Sequence, residues 1–134
     1  MSTTQLYGVR AYQSAAAHAG VAAADPHRLV QLMLEGAIDR LATARGHLDR
    51  GQVARKGEAL SRAMAIVDAL NAILDVGRGG DMAANLRALY DYATRRLVEA
   101  NVHNDGKAID EVIGLLRELK SGWDAIAPAA GVRS

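Results

Sequence analysis

A chain of 134 residues, half of them hydrophobic, has the length of one domain, and folding buries more than about 60% of its unfolded surface. A formal charge of +1 gives no electrostatic basis for binding nucleic acid or an anionic membrane, and no run reaches the roughly 18 apolar residues of a membrane span. Cysteine is absent, which excludes disulfides and thiol chemistry and fits a cytoplasmic protein. The N-terminus lacks the basic start and continuous apolar core of a secretory signal. With no Phe, one Trp and four Tyr, the core must be built from Leu, Ile, Val, Met and alanine.

Residues 1–24 stand apart as a leader. They carry one charged side chain, Arg10, and an alanine-rich middle, and Gly8 and Gly20 interrupt any long helix. Leu6, Tyr7, Val9 and Tyr12 are the anchors. A frayed tail is the plainer reading. Four such side chains so close together suit a segment that docks on apolar surface part of the time.

Asp25 is placed as the N-cap of the first bundle helix, with Pro26 in its first turn. Leu29, Val30, Met33, Leu34, Ala37, Leu41, Ala44 and Leu48 recur on one face, and Arg50-Gly51 ends the run. Gly46 and His47 are poor helix residues within it. A second helix begins between Gln52 and Lys56 and runs to Asp75, with Leu60, Ala63, Met64, Val67, Leu70 and Leu74 inward. Ala59, Ile66 and Ile73 widen that face to roughly half the circumference, more than one packing partner needs. Asn71 falls inside the stripe and is expected to be a satisfied core amide that fixes register.

After the glycine-rich turn at residues 77–80, a third helix occupies the stretch 86–105. Leu86, Leu89, Tyr90, Ala93, Leu97 and Ala100 form its stripe, and Arg87, Asp91, Arg95 and Glu99 lie opposite. Asp91 and Arg95, four apart, are expected to pair, and the stem of Arg96 to cover apolar surface at the stripe edge. Val98 and Val102 are misfits that project among charges: exposed valines, or residues that face a second partner. Asn104-Asp105-Gly106 ends this helix and caps the next, which spans residues 107–123 with Ile109, Val112, Ile113, Leu116, Leu119 and Trp123 in 3,4 steps. Pro128 and Gly131 stop any continuation. The expected architecture is all-α: an antiparallel four-helix bundle over residues 25–126, with the leader before it and a tail at 127–134.

Chemistry is scarce. His18, His27, His47 and His103 share no metal-ligand spacing and read as surface or cap residues. Ser14, Ser61 and Ser121 are isolated, and no nucleophile elbow or buried carboxylate pair occurs. No catalytic residue, metal or cofactor is assigned. What remains is a small bundle with an excess of apolar helix face, the mark of a helical partner or of self-association.

Four stretches carry a family resemblance: DPHRLVQLMLEGAI (25–38), ALNAILD (69–75), GGDMAANLRALYDYATRRLVEANVHND (79–105) and IDEVIGLLRELKSGW (109–123). Together they resemble the flagellin-specific export chaperones of bacteria, the FliS family, and AYQ (11–13) is similar to that family's tyrosine-containing leader. The resemblance implies a cytoplasmic helical bundle that binds the C-terminal segment of flagellin, prevents premature polymerisation and hands flagellin to a component of the flagellar export gate. The partner-binding residues expected here are Ile66 and Ile73 from the widened face, with Tyr90, Leu97, Val98 and Val102. Leu6, Tyr7, Val9 and Tyr12 are expected to cover the groove in the free protein, and an uncovered face would favour a homodimer. Two other classes stay open: an enzyme or ligand-binding bundle, for which only Asn71 supplies a polar group inside a stripe, and a helical module or secretion chaperone of another system.

Overall fold

The helices begin and end where local chemistry dictates. In the computed structural model, which describes residues 25–76 and 80–126, they are α1 (Pro26–Asp49), α2 (Val53–Val76), α3 (Asp81–His103) and α4 (Gly106–Ala125). Asp25 Oδ1 accepts from the Arg28 amide at 3.1 Å, with Pro26 in the first turn, where its missing N–H leaves no bond unmade. Past α1, Gly51 takes φ 72°, the left-handed conformation that costs glycine nothing. Asn104 (φ 51°) makes the left-handed stop of α3. Asp105 then accepts from the amides of Lys107 and Ala108 at 3.0 and 3.2 Å, so two residues end one helix and start the next.

Two boundaries differ from the periodicity. α3 starts at Asp81, ahead of its first stripe residue Leu86, because Gly80 opens it and Asp81 complements its N-terminal dipole. Met82 in that added turn is 68% exposed and so gives no periodic signal. α4 begins one residue before and ends two residues after the expected span 107–123.

Connections this short make successive helices antiparallel. α1 packs on α2, α2 on α3, α3 on α4 and α4 on α1, and the diagonal pairs meet only through side chains of the shared core. This is an all-α four-helix bundle, with helices roughly 30–36 Å long at 1.5 Å per residue. Leu34, Leu41, Leu60, Leu97, Ile109 and Leu116 are fully shielded at the centre, interleaved with Ala37, Ala44, Ala63, Ala93 and Ala100. Without Phe, the alanines bring the helix axes close and the leucines fill between them. Among the described residues, no helix is long and apolar enough to cross a membrane.

Polar contacts pin the seams. Trp123 Nε1 donates to the His27 carbonyl (3.0 Å), and His27 Nε2 bonds the Trp123 carbonyl (2.9 Å). Their rings stack 5.0 Å apart, which latches the end of α4 to the start of α1. His27 is therefore half-buried packing, not a surface residue. Between α3 and α4, Glu111 accepts from the Tyr92 hydroxyl and from Arg96 at 2.8 Å, and Arg96 also reaches Glu99. Between α2 and α3, Lys56 is buried and bonds Asn101.

Two expected polar contacts differ. Asn71 Nδ2 donates to Asp91 Oδ1 at 3.0 Å, while its Oδ1 is buried without a partner, so the amide is half satisfied. Asp91 therefore turns to α2 and does not pair with Arg95, whose guanidinium lies 5.7 Å from the centre of the Tyr92 ring.

Candidate partner-docking surface

From Ala63 to Leu74, only Asp68 and Asn71 interrupt an apolar run, and a helix apolar on nearly every side buries more than one face. Leu60, Ala63, Val67 and Leu70 point into the bundle. Ala69 and Ala72 are buried as well, although they lie round the helix from that stripe. Ile66 and Ile73, seven apart and so on nearly the same side, are half-buried against the core. Ile66 Cδ1 reaches α1: a Cβ built on Gly36 would lie 3.6 Å from it. Ile66 and Ile73 therefore form the α1 shoulder of α2.

Val98 and Val102 stand elsewhere. Val98 is seven residues beyond Asp91, whose carboxylate accepts from Asn71 of α2, and Val102 follows by four. Asn101 bonds Lys56 and lies 3.5 Å from a Cβ built on Gly57, which fixes this side of α3 beside α2. The two valines, 48% and 67% exposed, form an apolar ridge outside the α2–α3 seam.

Tyr90 and Leu97 lie on the inward stripe of α3 and are buried, so neither offers surface while the helices stay packed. Burial raises the Tyr90 hydroxyl pKa to about 12. Tyr90 also lines an apolar void of about 70 Å³ with Leu70, Ile73, Leu74, Leu86 and Trp123, at the end of the bundle where α1 begins. The six expected partner residues thus fall in three places: the α1–α2 shoulder, the α2–α3 ridge and the core between them.

The groove-covering residues Leu6, Tyr7, Val9 and Tyr12 lie outside the described residues, as do His18, Pro128 and Gly131. Among the described residues, no three His, Asp or Glu side chains gather in a way that could hold a metal ion. Sequence reasoning missed Lys56 and the His27–Trp123 latch. Lys56 did carry a signal, because it sits four before Leu60 and seven before Ala63, inside the apolar stripe.

Comparison with known proteins places this surface in context. Residues 8–130 match the family model described as Flagellar protein FliS. The chain is 46% identical over 125 residues to flagellar secretion chaperone FliSB of Pseudomonas aeruginosa, covering 91% of this chain and 99% of that one. It is 45% identical over 124 residues to flagellar secretion chaperone FliS of Salmonella typhimurium, covering 92% of each. For the Vibrio cholerae flagellar secretion chaperone FliS the identity is 38% over 120 residues, covering 90% and 88%.

Proposed function

Because the chain belongs to the FliS family of flagellar proteins, we propose that it is a cytoplasmic export chaperone that binds the C-terminal segment of flagellin. It keeps flagellin from polymerising and assists its delivery to a component of the flagellar export gate. The observation that carries this reading is apolar surface beyond the needs of the core, on Ile66 and Ile73 and again on Val98 and Val102. A disordered segment that becomes helical on docking can cover such shallow apolar ridges, and it loses part of its interaction energy to ordering. Nothing in this binding requires a catalytic group.

In the same reading, Leu6, Tyr7, Val9 and Tyr12 cover part of the groove in the free chaperone. Self-association into a homodimer is the alternative use of the uncovered face. The test is calorimetry at several temperatures with the C-terminal region of flagellin from the same organism. A one-to-one complex without nucleotide, with a negative heat-capacity change, is expected. Failure to bind more tightly than micromolar refutes the reading.

A further inference from the structure

The α1–α2 seam changes character along its length, from apolar at Ile66 and Ile73 to basic at its other end. Gly36 meets Ile66, and in an antiparallel pair each step forward on α1 is a step back on α2. Four steps on, Arg40 faces Arg62. Seven more bring His47 opposite Arg55. All four line one cleft of about 260 Å³. Four cations elsewhere on the bundle form ion pairs: Arg28 with Glu35, Arg45 with Asp49 and Asp110, Arg96 with Glu99 and Glu111, Lys120 with Glu35 and Asp124. Arg40, Arg55 and Arg62 form no ion pair among the described residues, although Glu58 stands in the same cleft. A chain of net charge +1 thus gathers three exposed arginines against one glutamate in a single cleft. A concave site in which three arginines face one glutamate attracts anionic groups.

We propose that the α1–α2 seam takes one helix-forming polypeptide segment, apolar where it lies over Gly36 and Ile66 and acidic where it reaches Arg40, Arg55 and Arg62. From Leu29 to His47 the seam is roughly 27 Å long at 1.5 Å per residue, the length of a helix of about 18 residues. The occupant is a partner protein. The chain's own leader, residues 1–24, contains no Asp or Glu and so cannot neutralise the arginines. A nucleic acid would leave the apolar half of the seam uncovered. The proposal names the chemistry of a segment for the chaperone function above, and so rests on that reading. Its test uses no flagellin, which keeps the two failures distinguishable.

The probes are fluorescein-labelled 18-residue designed peptides, with leucine and alanine in one half and four glutamates in the other. Both chain directions are made, and each has a counterpart with glutamine for glutamate. Fluorescence anisotropy with the full chain should show one glutamate peptide binding about tenfold more tightly than its glutamine counterpart at low salt. The gap should close in high salt and in the R40Q/R55Q/R62Q variant, whose thermal melt checks the fold. A charge-matched control, R95Q/K107Q/R117Q, alters exposed cations on α3 and α4 and should leave the gap intact. The proposal is overturned if neither peptide binds, if glutamate and glutamine peptides bind alike, or if the control closes the gap equally. Tighter binding of a DNA duplex through the same three arginines would overturn it too.

Discussion

Replacing Lys56 tests whether the α2–α3 seam is held as the geometry indicates. The side chain is 1% exposed, and its Nζ donates to the Asn101 carbonyl at 2.9 Å and to Asn101 Oδ1 at 2.6 Å. Asn101 lies in the last turn of α3, where carbonyls lack helical partners and the dipole favours a cation. Lys56→Ala removes three buried methylenes at about 0.8 kcal/mol each, roughly 2.4 kcal/mol in all. Losing the two charge-assisted bonds adds roughly 1 kcal/mol, because the desolvation of the ammonium is recovered at the same time. The expected total is about 3 kcal/mol. Lys56→Met keeps most of the apolar stem and leaves the Asn101 carbonyl short of a partner, at a cost of roughly 1–2 kcal/mol. Urea unfolding followed by circular dichroism measures both, with exposed Lys107→Ala as a control within about 0.5 kcal/mol of wild type. Burial lowers the Lys56 pKa, so the unfolded chain holds this proton more tightly than the folded one. Wild type should therefore gain stability relative to Lys56→Met as pH rises from the lowered value towards the ordinary 10.5. An alanine variant as stable as wild type, or a methionine variant as damaged as the alanine one, refutes the reasoning.

Val98→Asp should leave stability within about 0.5 kcal/mol, since the side chain is largely exposed, while flagellin affinity falls by about 1–3 kcal/mol through burial of a charge. Unchanged affinity in calorimetry removes Val98 from the surface. Deleting residues 1–14 should speed association and tighten flagellin binding up to about tenfold, about 1.4 kcal/mol, if a cover leaves the groove open in one molecule in ten. Light scattering should also show more dimer; unchanged or weaker binding ends the cover hypothesis. The Tyr92 hydroxyl first, then Arg96, hold Glu111 below its ordinary pKa of 4.5. Its contribution is therefore present above 4.5 and lost as pH falls through the lowered folded value, so Glu111→Gln should flatten the acid limb of stability. An unchanged acid limb rules that pairing out.

The four helices were legible because Leu, Ile and Ala recur at helical spacing for five to seven turns, and because capping chemistry marks the ends. Asp25, Gly51, Asn104 and Asp105 each perform the role their residue type suggests. The polar seams were not legible, because each needs a partner distant in sequence. His27 and Trp123 are 96 positions apart, and Lys56 and Asn101 are 45 apart. A lysine inside an apolar stripe reads as a stem with its head in water until another helix supplies an acceptor. Asn71 shows the converse limit. Its place in the stripe marked it as a seam residue, but one of its two polar ends stays unpaired, because the Asp91 carboxylate it meets is an acceptor and can bond only its amide N–H.

A helical wheel measures how wide an apolar face is, but not which neighbour lies on each side of it. The width of α2 pointed to Ile66 and Ile73, and the misfit of Val98 and Val102 marked the ridge on α3. Only the packed bundle shows that these pairs flank α2 on opposite sides, one towards α1 and the other towards α3. A helix is about 10 Å across with its side chains, so a straight helix lying in one seam covers one pair and not the other. A flagellin segment that meets both Ile66 and Val98 must cross over α2 and break its helix to do so. Such a ligand has little reason to be ordered before it binds, which is why a wide, shallow apolar surface suits it better than a pocket.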